Sequence, residues 1–266
     1  MTDCVAVLSD IHGVLPALDA VLAEPDVAAA DRVVLTGDLA AGPLPAQTLE
    51  RLASLGDRAV WVRGNADRDL VELAGGGDTK IPDPIAPWAA GQLSKSQIDL
   101  LDGLPTTAAL TITGFGEVLF CHATPRDDEE IVLVDSSLAR WSEVLAGIDA
   151  ETVVCGHTHM PFTRLVDRRL IVNPGSVGMP YGSIGAHWAL LGGASGPAVQ
   201  LRRTPYDAEA ACQSLVDTSA YPAIKAWAQD FVRSPPSDTE ALAVFHAAGY
   251  CTGDRSLNER HMIETA

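Results

Sequence analysis

Three short apolar runs in the N-terminal quarter of the chain each stop abruptly at polar residues, and this pattern constrains the fold most strongly. The runs are 5–8, 32–35 and 59–62. Apolar residues at helical spacing follow the first two runs, over 14–22 and 49–55. Strands that alternate with helices predict an α/β fold with a mainly parallel sheet covered on both faces. In such sheets, ligands gather at the carboxyl ends of the strands.

The middle of the chain predicts further elements in a different order. Residues 75–87 carry three glycines and three prolines, so they are interpreted as an irregular surface loop that could act as a lid. Helices are predicted near 94–104 and 136–146, and a hairpin is predicted to join 108–113 to 117–121. A strand is also predicted at 152–155, followed by a second, antiparallel set at 169–172, 186–191 and 198–202.

The sequence changes character after Pro205, where Ala-rich helical sequence begins. We therefore predict one domain over 1–204 and a C-terminal helical appendage over 205–266 that packs on or near the core. No apolar run approaches the roughly 18 residues of a membrane-spanning helix. The N-terminus lacks the basic start of a signal peptide, which favours a cytoplasmic location. The five cysteines are scattered, so neither a disulfide framework nor a structural zinc site is expected.

Motifs rich in His, Asp and Asn directly follow five of the apolar runs, so each motif is expected at a strand end. Asp10 and His12 are two residues apart, as are His157 and His159, and side chains at that spacing share a face in extended backbone. Asp10 and His12 could chelate one ion, and imidazole with carboxylate suits manganese, iron, zinc or nickel. Two ions need a bridging carboxylate, for which Asp38 is the candidate. The motif residues are Asp10, His12, Asp38, Asn65, His122, His157 and His159.

This ordered set of motifs resembles that of the calcineurin-like metallophosphoesterase superfamily, and within it the compact bacterial and archaeal phosphodiesterase branch. The resemblance covers roughly residues 5–202. It implies a four-layer α-β-β-α sandwich, in which two mixed sheets are flanked by helices and a site for two divalent metal ions lies at one edge. Manganese is the preferred ion, and iron, zinc, nickel and magnesium stay open. By position, one ion would be held by Asp10, His12, Asp38 and His159, and the other by Asp38, Asn65, His122 and His157.

Position 66 departs from the family pattern. Many relatives carry a histidine after the Gly-Asn pair, where it is credited with protonating the leaving group, but this chain carries Ala66. A positioned general acid is worth about 10²–10⁴ in rate, so substrates with poor leaving groups should suffer most. We therefore expect a phosphodiesterase or phosphatase that uses a metal-bridging hydroxide on nucleotide-type or diester substrates with good leaving groups.

Arginines near the motifs are candidates for binding phosphate oxygens. Arg63 and Arg68 flank the third motif, Arg126 follows the fourth, and a guanidinium could grip two oxygens as a fork. Arg126 is the preferred candidate, and a surface arginine is the alternative for all three. The acidic run 127–130 is interpreted as a solvated helix start that could orient Arg126. The predicted catalytic residues are Asp38, Asn65, His122 and Arg126.

Each motif taken alone also has a structural interpretation. A single Asp-x-His or Gly-Asp is ordinary turn sequence. Asp67 is better explained as a helix cap than as a catalytic group, and Asn173 and Ser176 are interpreted as turn residues beside the site. Because all five motifs occur in this order, each at a strand end, their combination favours a metal site.

The charge of the chain bears on its partners. A formal net charge of −17 disfavours an extended nucleic acid or an anionic membrane, because such binding needs clustered Lys and Arg. A small phosphate-containing substrate fits better, since two bound cations would locally reverse the field. A nucleotide substrate and a homo-oligomer stay open. The alternative functions are a non-catalytic metal-binding scaffold on the same fold and a phosphoprotein phosphatase.

Overall fold

A computed structural model describes residues 2–79, 83–193 and 196–247 of the chain. The strands are β1 Cys4–Leu8, β2 Arg32–Leu35, β3 Ala59–Trp61, β4 Thr107–Ile112, β5 Gly116–Cys121, β6 Thr152–Val154, β7 Pro161–Val166, β8 Arg169–Pro174, β9 Ala186–Gly192 and β10 Val199–Thr204. The helices are α1 Leu15–Leu22, α2 Pro25–Ala29, α3 Pro45–Ala53, α4 Asn65–Ala74, α5 Ala86–Ala90, α6 Lys95–Asp102, α7 Leu138–Val144, α8 Ala208–Thr218, α9 Ile224–Ala228 and α10 Asp238–Ala247. A 3₁₀ turn, Gly56–Arg58, precedes β3, and a π-helical turn, Gln229–Arg233, follows α9.

The strands form two five-stranded mixed sheets. In the first sheet, with the order β10-β9-β1-β2-β3, the strands β1, β2 and β3 are parallel, and β9 and β10 are antiparallel to their neighbours. In the second, with the order β4-β5-β6-β8-β7, the central strands β5, β6 and β8 are parallel, and the edge strands β4 and β7 are antiparallel. The parallel centre of each sheet brings the carboxyl ends of its strands to one edge.

Alternating side chains of β1 show how the two sheets pack. Val5 and Val7 belong to the apolar cluster between the sheets, whereas Ala6 and Leu8 belong to the cluster beneath the helices. Because side chains of a strand alternate between its faces, one apolar run supplies both layers. The outer face of the second sheet packs against α7 in a third cluster. The four-layer α-β-β-α sandwich is thereby confirmed, and the first sheet is covered on both faces as predicted, by helices on one face and by the second sheet on the other.

The C-terminal helices share the core of the first sheet. Ala211 and Leu215 of α8, Trp227 of α9 and Val232 of the π-helical turn are buried in the same apolar cluster as α1 and α3. The helical character predicted after Pro205 therefore holds over the described part of the segment, up to residue 247. Residues 248–266 of the predicted appendage lie outside the described residues, and the boundary at 204 stays a prediction.

The hairpin of β7 and β8 is the main difference from the predicted strands. No strand was predicted at Pro161–Val166, and 169–172 was grouped with the later strands, yet β8 lies in the other sheet. The two-residue turn between β7 and β8 consists of Asp167 and Arg168, with φ of 46° and 68°. Turns of this kind normally carry Asn-Gly or Asp-Gly, so Asp-Arg gives no recognisable sign of a hairpin.

The acidic run 127–130 is also different from its prediction. It lies in a loop, and the next helix, α7, begins only at Leu138. Asp127 is exposed, but the other three side chains are partly buried in ion pairs, Glu130 with Arg126 and Arg140, and Asp128 and Glu129 with Arg68. The helix start was therefore wrong, since ion pairs rather than helix capping explain these acids.

Two further expectations concern loops and membranes. The predicted irregular loop over 75–87 ends in the short helix α5, and its residues 80–82 lie outside the described residues. Across the described ranges, no helix has the length and apolar character needed to cross a bilayer.

Candidate metal centre

The five predicted motifs meet at one edge of the sandwich, where β1, β2, β3, β5 and β6 end. Main-chain hydrogen bonds continue past the strands and tie the loops together. Asp10 N donates to Gly37 O over 3.1 Å, and His12 N donates to Asp38 O over 2.9 Å. In the second sheet, Gly156 N donates to the carbonyl oxygen of His122. The loops therefore hold one another in place before any ion binds.

Five of the predicted ligand residues have left-handed backbone, with φ values of 55° for Asp10, 47° for His12, 54° for Asp38, 66° for His157 and 58° for His159. Such φ values are uncommon outside glycine, cost of order 1–3 kcal/mol each and concentrate at functional sites. Extended backbone was therefore the wrong explanation for the convergence of Asp10 and His12, and His157 and His159 belong to different triads. The chain instead turns back at both residues of the pair.

Six of the seven predicted ligands form two triads at the site. Within each triad, one possible ligand atom of each residue lies within 4.8 Å of those of the other two. In the first triad, His159 Nε2 lies 3.2 Å from His12 Nε2 and 3.2 Å from Asp10 Oδ1. The second triad consists of Asp38, His122 and His157. Each triad combines one carboxylate with two imidazoles, a donor set that suits divalent transition metals.

Asp38 lies between the two triads. Its Oδ2 atom is 3.3 Å from His122 Nε2 of its own triad and 3.7 Å from His12 Nε2 of the other. Its other oxygen, Oδ1, accepts a hydrogen bond from Ala66 N over 2.8 Å. One carboxylate oxygen thus faces both triads, which is the position that a ligand shared by two ions requires.

Three of the histidines are oriented by main-chain carbonyl groups. His122 Nδ1 donates to Thr36 O over 2.7 Å, and His159 Nδ1 donates to Met179 O over 2.8 Å. His12 Nδ1 lies 3.3 Å from the carbonyl oxygen of Ala41. A hydrogen bond at Nδ1 fixes the tautomer and ring orientation, so in each case Nε2 is the nitrogen that can ligate a metal.

The Asn65 amide completes the second triad. Its Oδ1 lies 3.0 Å from His122 Nε2, and the same position lies 3.0 Å from His157 Nδ1 and 3.3 Å from the carbonyl oxygen of Asp128. Without a cation, hydrogen bonding would favour the amide nitrogen at this position. A cation between the rings would favour the oxygen, because amide oxygens are metal ligands and amide nitrogens are donors.

Unsatisfied atoms and protonation states also fit a metal. Within the described ranges, Asp10 Oδ1 and His157 Nε2 are buried without hydrogen-bond partners. Burial, with the neighbouring His122, lowers the pKa of His157 to about 4, which leaves it neutral. Burial would raise the pKa of Asp38, but the His122 ring holds it below its ordinary value. Burial would lower the pKa of His122, but Asp38 raises it to about 10, so an ion bound there would displace a proton from the ring. Neutral imidazole and ionised carboxylate are the forms that bind metals, so the donor atoms present fit two divalent ions once that proton is released.

Asp67 supports the ligand Asp38 from beneath. Its Oδ2 accepts from Asp38 N over 2.9 Å and from Gly64 N over 3.0 Å, and its Oδ1 accepts from Leu39 N over 2.8 Å. Burial and the nearby Asp38 carboxylate raise the pKa of Asp67 to about 7. The residue therefore caps α4, as predicted, and also joins α4 to the loop after β2.

Replacing Asp67 by Ala should lower the free energy of unfolding by about 3 kcal/mol, because buried N–H groups lose their acceptors at about 1–3 kcal/mol each. Urea unfolding of the metal-free protein measures this change. Glu72→Ala removes an exposed carboxylate from the same helix and should have little effect. Equal unfolding midpoints and slopes for the two variants would show that Asp67 does not anchor this loop.

Two residues that were interpreted as turn residues also position the ligand loops. Asn173 Nδ2 donates to Gly156 O over 2.7 Å and to Thr158 Oγ1 over 3.1 Å. Ser176 Oγ donates to the carbonyl oxygen of Asp10 over 2.7 Å. Both side chains are fully buried. Their role is to hold the loops that carry the histidines and Asp10.

Two of the three candidate arginines, Arg126 and Arg68, lie among carboxylates, whereas the Nε atom of Arg63 is buried without a hydrogen-bond partner among the described residues. Arg126 Nη2 bonds Glu130 Oε1 over 2.7 Å and Glu143 Oε1 over 2.8 Å, and none of its described contacts is with the triads. The phosphate-binding role predicted for Arg126 therefore requires these ion pairs to open. Arg68, which is less exposed, bonds three carboxylates, those of Asp69, Asp128 and Glu129.

Sequence reasoning missed Tyr181, whose ring stacks on His159 with a centroid distance of 5.6 Å. It lies in the loop between β8 and β9, where no spacing pattern marks it. The carbonyl groups of Thr36, Ala41 and Met179 were also missed, because a main-chain acceptor has no signature in the sequence.

The two-sheet sandwich with its paired His/Asp triads defines a metal-dependent phosphoester hydrolase. Residues 4–193 match the model of the calcineurin-like phosphoesterase superfamily domain. The chain belongs to the calcineurin-like phosphoesterase superfamily, whose members use divalent metals. The family match by itself does not separate this activity from the non-catalytic scaffold, which has the same fold.

Individual relatives agree with this assignment. The chain is 28% identical to phosphodiesterase YfcE of Escherichia coli over 193 residues, which cover 69% of this chain and 84% of that protein. A hypothetical protein of Pyrococcus horikoshii has the same fold, with a TM-score of 0.72, 18% identity and coverage of 87% of this chain and 99% of its own. A metallophosphoesterase of Sphaerobacter thermophilus gives a TM-score of 0.66 at 22% identity, covering 86% of this chain and 98% of its own. Both structural matches extend beyond residue 204, into the C-terminal helices.

Proposed function

We propose that the chain is a dinuclear phosphoesterase of small substrates, with manganese as the preferred ion. One ion would be held by Asp10, His12, Asp38 and His159, and the other by Asp38, Asn65, His122 and His157. The observation that carries this proposal is the position of Asp38 Oδ2, which faces a histidine nitrogen of each triad at 3.3 and 3.7 Å. Two divalent ions at such a site lower the pKa of a shared water and polarise the phosphate.

The contribution of the chain itself is preorganisation. Carbonyl groups fix three imidazole rings, Asp67 fixes the loop of Asp38, and hydrogen bonds between the loops hold the left-handed backbone of the ligands. Groups that need not move during the reaction stabilise its transition state without a reorganisation cost. Asn65 and His122 would therefore act catalytically by holding the second ion where the phosphate binds.

The proposed substrates are phosphodiesters or nucleotide-type phosphates with good leaving groups. Ala66 is the second residue of α4, directly after Asn65, and its methyl group cannot donate a proton. Departure of a good leaving group needs little protonation, so the hydrolysis rate of such substrates is reduced least by the missing acid. The similarity to a protein named phosphodiesterase supports a diester. Hydrolysis of phosphoserine, whose leaving group is an alkoxide, should be slow, which argues against a phosphoprotein phosphatase.

The test is a substrate comparison with protein reconstituted in Mn²⁺. We expect hydrolysis of bis(p-nitrophenyl) phosphate and of a dinucleoside polyphosphate, with kcat/KM on a phosphoserine peptide lower by about 10²-fold or more. Elemental analysis should find two Mn²⁺ per chain. Absence of bound metal together with no turnover of any substrate would refute the proposal, and faster turnover of the phosphopeptide would reverse the substrate preference.

A further inference from the structure

A stack of aromatic rings connects a ligand of the first triad to the C-terminal helix α10. The ring of Tyr181 stacks on the imidazole of His159, with a centroid distance of 5.6 Å and an interplanar angle of 29°. Phe245 of α10 meets the Tyr181 ring edge to face, at 6.4 Å and 80°. Stacked and edge-to-face contacts are the geometries that aromatic quadrupoles favour. Helix α10 is therefore separated from a ligand by one side chain.

The loop that carries Tyr181 holds His159 in a second way. His159 Nδ1 donates to Met179 O of the same loop over 2.8 Å, so the loop contacts both the ring edge and the ring face. Met179 N in turn donates to Ser176 Oγ over 2.7 Å, and that hydroxyl donates to Asp10 O over 2.7 Å. The hydrogen bond fixes the tautomer of His159, while the stack restricts rotation of the ring out of its plane.

The C-terminal segment fastens this loop from outside. Gly182 N donates to Pro236 O over 2.9 Å. A Cβ atom on Gly182, which has a φ of +79°, would lie 2.6 Å from Asp238 Oδ2, so the contact is close. The other end of α10 contacts the loop between β5 and α7, which begins with His122. There His246 Nε2 lies 3.0 Å from Asp135 Oδ2. Helix α10 thus bridges one loop from each half of the site.

We propose that α10 is part of the metal centre, with Tyr181 and Phe245 as positioning residues that hold His159 for the ion of the first triad. The proposal rests on the dinuclear function proposed above. It goes beyond the family assignment, because the family match ends at residue 193. Both aromatic residues would act through the His159 ring, so their effect should appear in metal affinity. Partners that orient ligands typically contribute about 10–100-fold in metal affinity.

The test is titration of the metal-free full-length chain with Mn²⁺, followed by calorimetry and electron paramagnetic resonance. Tyr181→Ala should lower the affinity for one of the two ions by about 10–100-fold and leave the affinity for the other unchanged. Phe245→Ala should lower the affinity for the same ion by about 10-fold, the lower end of that range. Tyr181→Phe keeps the ring and should bind as the wild type does. When one further equivalent of Mn²⁺ is added after the tighter site is saturated, the wild type should show the spectrum of a coupled pair of ions. The alanine variants should show the spectrum of an isolated ion.

Two variants separate this role from general stabilisation by the C-terminal segment. Tyr221→Ala removes an aromatic contact with Trp88, at 5.3 Å, between the same segment and α5. Val244→Ala removes an exposed side chain from α10 itself. Both should keep two ions at wild-type affinity. Thermal unfolding of the metal-free variants shows how far each substitution destabilises the fold.

The possible failures are distinguishable. If the wild type binds no Mn²⁺, the proposed dinuclear function itself is wrong. If the wild type binds two ions and Tyr181→Ala and Phe245→Ala do the same with unchanged affinity, only the role of α10 is wrong. If Tyr221→Ala loses as much affinity as Phe245→Ala, the effect is general stabilisation and the positioning role is again refuted.

Discussion

Asp38→Asn should lower kcat/KM for an aryl phosphodiester by about 10³-fold, the upper end of the loss expected when one preorganised electrostatic group is removed. The substitution keeps the size of the side chain and its acceptor for Ala66 N, so the fold should persist. It removes the negative charge from the one side chain that faces both triads. Steady-state kinetics with saturating Mn²⁺ measure the loss, and elemental analysis should find fewer than two ions.

Asp69→Asn is the matched control. Asp69 is a buried carboxylate on α4, where it pairs with Arg68 at 3.1 Å, and none of its described contacts is with either triad. We expect its activity to stay within a few-fold of the wild type. If Asp38→Asn retained two ions and comparable activity, Asp38 could not be the shared ligand, and the two triads would have to act as separate sites.

The strand ends of the site could be predicted because local sequence determines them. The runs at 5–8 and 32–35 are apolar on both faces, as strands buried between two layers must be, and the polar residues begin where the strands end. The division of the ligands between two ions came from the resemblance to the calcineurin-like family, not from this placement. The backbone at Asp10 and His12 could not be predicted, since left-handed φ at non-glycine residues depends on the hydrogen bonds that neighbouring loops supply.

The surroundings of the ligands were less predictable because they depend on contacts between distant parts of the chain. Arg126 lies four residues before Glu130, a spacing that could have indicated an ion pair, but its second partner, Glu143, comes from another element. Tyr181 and Phe245 meet across 64 residues of sequence, and only the packing of α10 brings them together. Aromatic residues without a spacing pattern are ordinarily interpreted as core, so the sequence alone does not distinguish them.

Ala66→His should raise kcat/KM on phosphodiesters with alkoxide leaving groups by about 10-fold or more, and on p-nitrophenyl esters by less than about three-fold. Ala66 is half-buried, follows Asn65 directly, and its N–H bonds Asp38 Oδ1 over 2.8 Å. An imidazole introduced there would begin beside both proposed ligands. A positioned acid is worth about 10²–10⁴, and a newly introduced side chain without supporting contacts should achieve the lower part of that range.

The size and pH dependence of this gain distinguish proton donation from other effects. Ala66→Leu introduces a side chain of similar bulk that cannot donate a proton, so it should give no gain on either substrate. The gain with histidine should be present where the imidazole is protonated and should decline as pH rises through its pKa, about 6.5 in an unperturbed histidine. A pH-independent gain, or an equal gain on alkyl and aryl esters, would mean that position 66 affects substrate binding. The alanine at position 66 would then not limit the reaction through a lack of leaving-group protonation.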